Sequence, residues 1–314
     1  MRKHNDVSLT HTSGREWLEF MTRLKRILRW IFSWRGLVTI LILLFFVAPA
    51  LESWQIENLR ERAISALERE RGSRVIVLIH RQESVNVLGI PVVRYINIDD
   101  SEDVLKAIRL TDKKTPLDLV LHTPGGLVLA ASQIAKAIKR HPAKTTVFVP
   151  HYAMSGGTLI ALAANEIVMD ANAVLGPIDP QLGDFPAASV LTVLDKKPIN
   201  KIDDMTLVLA DQSKKAIAQV AALAQELLNG KMPVTKARDI AVRLASGTWT
   251  HDFPISAETA KDLIGLPIST AMPEEVFQLI SLYPQANEAK PSVFYLPGPR
   301  YKKTEPQSQE AAAR

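Results

Sequence analysis

Ser155 sits at an abrupt change of composition. Before it, Thr145-Thr-Val-Phe-Val-Pro150 is β-branched and apolar, the pattern of a buried strand. After it come Gly156-Gly157 and an Ala/Leu-rich run with helical spacing. A serine at such a strand-to-helix turn holds its hydroxyl near a helix N-terminus, where free N–H groups favour developing negative charge. The same position also suits a serine that merely caps a buried helix. A second turn of the same kind follows the apolar run 116–122, at Thr123-Pro124-Gly125-Gly126. Two strand–Gly-Gly–helix units in succession read as parallel βαβ units, whose turns share the carboxyl edge of one sheet. One turn then offers a nucleophile and the other backbone donors for an oxyanion: Gly125 or Gly126, helped by Gly156. That is the apparatus of acyl transfer, and each such donor is worth roughly 3 kcal/mol in the transition state.

The elements that must position these turns are legible as hydrophobic periodicity. Residues 75–80 and 166–170 read as further strands, and 91–98 as another. Helices are expected over 127–138 and through Arg109, the latter capped by Asp99-Asp-Ser-Glu102, and over 203–228, 233–246, 256–263 and 272–282. The segment Leu175-Gly-Pro-Ile-Asp-Pro-Gln-Leu-Gly183 is rich in turn formers and forced extended by its prolines.

The stretches "LHTPGG", "VPHYAMSGGTLIALAANEIVMD", "LGPIDPQLG" and "TWTHDFPI" resemble the serine dehydrogenase proteinase family of membrane-associated peptidases. That family belongs to the Clp/crotonase superfamily and is similar to signal peptide peptidase A. The resemblance runs from about Arg74 to about Tyr283. It implies an α/β, Clp/crotonase-like fold of repeated ββα-type units with helices flanking the sheet. It further implies a serine peptidase that needs no cofactor, acts on a peptide or membrane-protein fragment, and assembles as a homo-oligomer.

A serine hydroxyl needs a base within hydrogen-bond reach. Signal peptide peptidase relatives use a lysine, which points here to Lys215 in "ADQSKKAI", then to Lys214, with Lys196, Lys197 and Lys201 further off. In some relatives that lysine comes from a neighbouring protomer, so action in cis or in trans stays open. His251 is the rival base: "WTHDFPI" surrounds it with aromatics and with Asp252, which could orient an imidazole. The alternative for His251 is a structural one, holding its loop by a backbone hydrogen bond. His122 and His151 flank the two Gly-Gly turns as substrate-lining candidates or as strand-end caps, Asp179 is a third substrate-lining candidate, and His80 reads as structural. Clp-type relatives carry a histidine near 175–183. Here Asp179 stands in that region and no histidine falls between His151 and His251, so a Ser-His-Asp triad of that kind is not expected.

The organisation expected is a basic disordered N-terminus over 1–30, a transmembrane helix over 31–54, a helical stalk over 55–73, the peptidase domain over 74–284 and a flexible tail over 285–314. The span rests on an uncharged run from Gly36 to Leu51, slightly short alone and extended by residues 31–34, with Trp30, Trp34 and Trp54 as interface anchors; a cleaved signal peptide with the small-x-small site Ala48-Pro-Ala50 and a buried core helix are the alternatives. Basic residues on both sides leave the single-pass topology open; the positive-inside rule favours an outward-facing catalytic domain. The 314 residues contain no cysteine, excluding disulfides, thiolate metal sites and a cysteine nucleophile. No basic stripe interleaved with aromatics points to nucleic acid. No His-Glu-x-x-His or glycine-rich phosphate loop points to a metal or a nucleotide. Two other readings of the same fold remain: an inactive membrane scaffold and an acyl-thioester enzyme.

Overall fold

The computed structural model describes residues 13–283, except residues 32, 81–84, 88–89, 93 and 267. Its centre is a five-stranded parallel sheet. The strands are β1 (Arg74–Ile79), β2 (Leu117–His122), β3 (Thr145–Val149), β4 (Glu166–Met169) and β5 (Ile268–Ser269), side by side in chain order. β2 and β3 are buried along their whole length, which is why they read as continuous apolar runs rather than alternating ones. Register is continuous, from Arg74 opposite Leu117 to Ile79 opposite His122, and from Leu117 opposite Thr145 to Val120 opposite Phe148.

Strands added in one direction by right-handed crossovers leave their connecting helices on one face of the sheet. On that face α3 (Ile98–Leu110), α4 (Val128–Arg140), α5 (Gly156–Ala163), α7 (Asp204–Leu228) and α8 (Val234–Ala245) build the main core, around Ile134, Ile138, Leu159 and Leu244. The other face would be bare. It is covered by the second half of α2 (Trp34–Arg71) and by α9 (Glu274–Ser281), which bury Leu67, Val276 and Leu279 against Val75, Val120 and Phe148. Arg71 pairs with the buried Asp118 of β2 and lies 4.7 Å from the Phe148 ring centre, and Arg60 donates to the Leu282 carbonyl at 2.9 Å. The stretch expected as a solvated stalk is therefore part of the domain: Ala63, Ile64 and Leu67 make an apolar stripe that its many charges obscure.

Further expectations need correction. Residues 1–30 were to be disordered, but Ser13–Ile31 forms helix α1. The span and stalk form one helix, α2. No single described helix is long and apolar enough to cross a membrane, while Trp17–Trp30 and Trp34–Val47, bent by 74°, meet that test together. The cap of α3 is Asn97, in a reciprocal box with Asp100, not Asp99. Of the strand expected over 91–98 only the start is strand: Ile90–Val92 pairs antiparallel with Val85–Val87. The expected helix at 256–263 is centred on a π-helical turn, Thr259–Ile264. The expected tail lies outside the described residues.

A small second sheet joins Tyr152–Ala153 in parallel to Val174–Leu175, which pairs antiparallel with Ile255–Ser256. β3, Tyr152–Ala153 and α5 thus form one ββα unit, with Ser155 at its turn.

Candidate active site

The Ser155 turn is held under backbone strain. Ser155 has φ 50° and ψ −115°, and it is the one non-glycine residue with positive φ among the described residues. A side chain in that region costs on the order of 1–3 kcal/mol and persists only where the surroundings impose it. Here they do: Gly157 donates to the Met154 carbonyl at 2.7 Å, Met154 donates to Thr123 at 3.0 Å, and every residue of α5 is buried. Ser155 occupies the N-cap position of α5, yet its hydroxyl makes no capping bond. The capping explanation of this serine therefore fails on geometry.

The Gly125-Gly126 turn is packed directly against it. A Cβ on Gly125 would come within 2.8 Å of the Ser155 Cβ, and one on Gly126 within 2.3 Å of the Ile96 backbone. No side chain fits at either position. Ile96 donates to the Gly125 carbonyl at 2.7 Å and accepts from Leu127 at 2.9 Å, so the segment before α3 pins both sides of the turn. The N–H of Gly125 is donated to the Thr123 hydroxyl at 3.2 Å, which withdraws it as an oxyanion donor. The N–H groups of Gly126 and Gly156 have no acceptor among the described residues, and a Cβ on Gly156 would lie 3.5 Å from the Gly126 nitrogen. These two donors sit together beside Ser155.

Ser155, Gly126 and Gly156 line a cavity of about 430 Å³. Across it lie Asp179 and His251, with Nδ1 of His251 2.8 Å from Oδ1 of Asp179. The Asp179 side chain is 2% exposed, and its other oxygen accepts from the Gln181 amide at 2.8 Å. The loop carrying Asp179 is buried from Leu175 to Pro180, tied by Thr158, whose hydroxyl donates toward Ala153 and Gly176 and accepts from the Gly176 N–H at 3.0 Å. The His251 turn is closed by Phe253 donating to the Thr250 carbonyl, while the Trp249 and Phe253 rings stack 5.7 Å apart around it. Ser155, the His251 imidazole and the Asp179 carboxylate thus line one cavity. The histidine arrives from 251 rather than from the 175–183 loop, and its carboxylate is Asp179, not Asp252.

The lysines are elsewhere in the chain's own fold. Lys215 is largely exposed on α7 and pairs with Asp211 at 2.5 Å. Lys214 lines a different cavity, with Leu194, Lys197 and Ile202. Lys196, which ends α6 (Ala187–Lys196), Lys197 and Lys201 are exposed. Of the substrate-lining candidates, Asp179 faces the Ser155 cavity but His122 and His151 are not among its lining residues. They stack on one another, ring centres 5.5 Å apart, with Tyr152 4.2 Å from His122.

Some residues escaped sequence reasoning. Tyr95, Met154 and Val220 line the cavity, and nothing in their local pattern marks them. His80 has the structural role its sequence position suggests. It is buried, its Nε2 lies 3.3 Å from Asp100 of the α3 capping box, and its Nδ1 lies 3.1 Å from the Thr123 hydroxyl that fixes Gly125. A run of polar contacts therefore connects the start of α3 to the glycine turn.

Residues 29–312 match the profile of a family described as ClpP-like SDH-type serine proteinase. The chain belongs to that family. Two proteins of Methanocaldococcus jannaschii, both named as uncharacterized, are similar along most of their length. MJ1495 is 53% identical over 83% of this chain and 89% of its own, and MJ0137 is 52% identical over 84% and 94%. Among solved structures, a serine-to-alanine mutant of the 1510-N membrane-bound stomatin-specific protease is similar at 19% identity and TM-score 0.41, over 59% of this chain and 79% of that one. ClpP1 from Listeria monocytogenes is similar at 16% identity and TM-score 0.40, over 67% and 99%.

Proposed function

We propose that the chain is a membrane-anchored serine peptidase with Ser155 as nucleophile and His251, oriented by Asp179, as general base. The observation that carries this reading is the uncapped, strained Ser155 sharing one cavity with the His251–Asp179 pair. Asp179 engages Nδ1 and leaves Nε2 for the serine proton. Ser155 Oγ bonds to a peptide carbonyl carbon, Nε2 takes the hydroxyl proton, and the oxyanion accepts from the N–H groups of Gly126 and Gly156. The C–N bond then breaks as His251 returns the proton to the leaving amine. Water, deprotonated by the same nitrogen, frees the acyl group. The buried carboxylate holds one tautomer and stabilises the imidazolium as it forms.

Anchorage is supported by the first half of α2, where Leu41, Ile42, Leu43, Phe45 and Phe46 are exposed along one uncharged segment. Lys215 as base would require a second protomer to bring it to the cavity.

The test is active-serine labelling by a fluorophosphonate, alongside peptide hydrolysis, with detergent-solubilised protein. Wild type is expected to label and cleave, and Ser155→Ala to do neither. Wild type that neither labels nor cleaves would favour an inactive scaffold.

A further inference from the structure

We propose that α1 is an interfacial helix, lying along an anionic bilayer surface with its apolar face in the acyl region and its basic face on the lipid phosphates. The proposal goes beyond the peptidase reading and rests only on its membrane anchorage through α2.

At about 100° per residue, Trp17, Phe20, Met21, Leu24, Ile27 and Leu28 fall within an arc of about 120°. Arg23, Lys25, Arg26 and Arg29 occupy the opposite side, with Glu19 as the one acidic residue between Trp17 and Trp30. Leu18 and Trp30 stand outside the apolar arc. The apolar face has little protein cover: Trp17 is 67% exposed, Phe20 60% and Ile27 54%. A sustained apolar face opposite a cationic one is the pattern of a helix that lies in a membrane interface, and anionic phosphates are the complement of that charge.

Geometry distinguishes this from half of a broken span. Four cations within two turns would have to enter hydrocarbon if α1 crossed the bilayer, at a cost its apolar face does not offset. The axis instead bends by 74° between Trp17–Trp30 and Trp34–Val47. That is close to the turn required between a helix in the plane of a membrane and one entering it. The segment beyond the bend is uncharged from Gly36 to Leu51, whereas the one before it is cationic. Ser33 caps the new helix at the corner, accepting from the Gly36 N–H at 3.1 Å.

Because the chain has no cysteine, single cysteines can be placed and labelled without background. The full chain carrying Leu24→Cys or Arg26→Cys, each bearing an environment-sensitive fluorophore, would be reconstituted in phosphatidylcholine vesicles with phosphatidylglycerol and a quencher near the headgroup end of the acyl chain. The expected result is a blue shift and quenching at position 24, with neither at position 26. In phosphatidylcholine alone, or with Arg23, Lys25 and Arg29 changed to Gln, quenching at position 24 should fall. Equal quenching at both positions would mean a spanning helix, and quenching at neither would mean a helix held off the lipid, as by a second copy of the chain. Either overturns the proposal, and quenching indifferent to lipid charge overturns its anionic part.

Discussion

Nδ1 of His251 and Oδ1 of Asp179 lie 2.8 Å apart although 72 residues separate them in the chain. The carboxylate is almost fully buried and the imidazole opens onto the cavity of Ser155. The pair therefore has a fixed side and a working side.

Asp179→Asn should leave the fold intact and lower kcat by about 10³–10⁴-fold, because the amide N–H donates to Nδ1 and so keeps the imidazole proton on Nε2, the tautomer that cannot accept the serine proton. Peptide hydrolysis by the purified variant, with circular dichroism to verify folding, checks this. A variant with near-normal kcat would remove Asp179 from the mechanism.

The strain at Ser155 predicts a trade between activity and stability. Ser155→Ala and Ser155→Gly should both be inactive, but only glycine relieves the positive φ. The glycine variant should be the more stable by about 1 kcal/mol, after its entropic cost is set against the strain it removes. Equal denaturation midpoints would mean that the turn stores no strain.

The Asp100–His80–Thr123 contacts place the glycine turn without touching substrate. Thr123→Val removes the acceptor of the Gly125 N–H and a partner of His80. It should lower kcat by about tenfold to a hundredfold with KM little changed, since the donors are displaced rather than deleted. Thr123→Ser, which keeps the hydroxyl, should restore the rate. A loss in KM alone, or no rescue by serine, would contradict this.

Lys231 caps the far end of the α5 helix. Its Nζ donates to the Leu162 carbonyl at 2.6 Å and to that of Ala164. Burial, aided by the neighbouring charge of Lys139, pushes it down from 10.5 to about 7. A neutral amine keeps two N–H donors, so the cap survives loss of the proton. Above about pH 7 the folded chain has released a proton that the unfolded chain holds until about 10.5, so stability rises with pH across that window. Below it both states are protonated and the contribution is flat. Denaturant midpoints for wild type against Lys231→Met should diverge in favour of wild type between about pH 7 and about pH 9. A constant difference would refute the shifted lysine.

Much of this architecture was legible because parallel strands buried on both faces are written as unbroken apolar runs, as in β2 and β3. The two glycine turns were legible because each interrupts such a run before a helix. The pairing of Asp179 with His251 was not, since it depends on a buried loop and an aromatic-clamped turn meeting across the sheet edge. The placement of Lys215 away from its own chain's cavity was legible in the sequence. At helical spacing it lies roughly 160° from Ser213, which is buried together with Ala210, Val220 and Ala224 on the inner face of α7. The covering role of α2 was hidden because only a narrow apolar stripe survives among its charges.

The most direct test of the central claim is to compare hydrolysis and fluorophosphonate labelling rates for His251→Ala and Lys215→Ala in the assembled, reconstituted protein. The account predicts that His251→Ala loses about 10³-fold or more in both rates. It predicts that Lys215→Ala stays close to wild type. If Lys215→Ala is the silent variant and His251→Ala still labels and cleaves, the base is a lysine supplied across a protomer interface. The Asp179–His251 pair would then be structural.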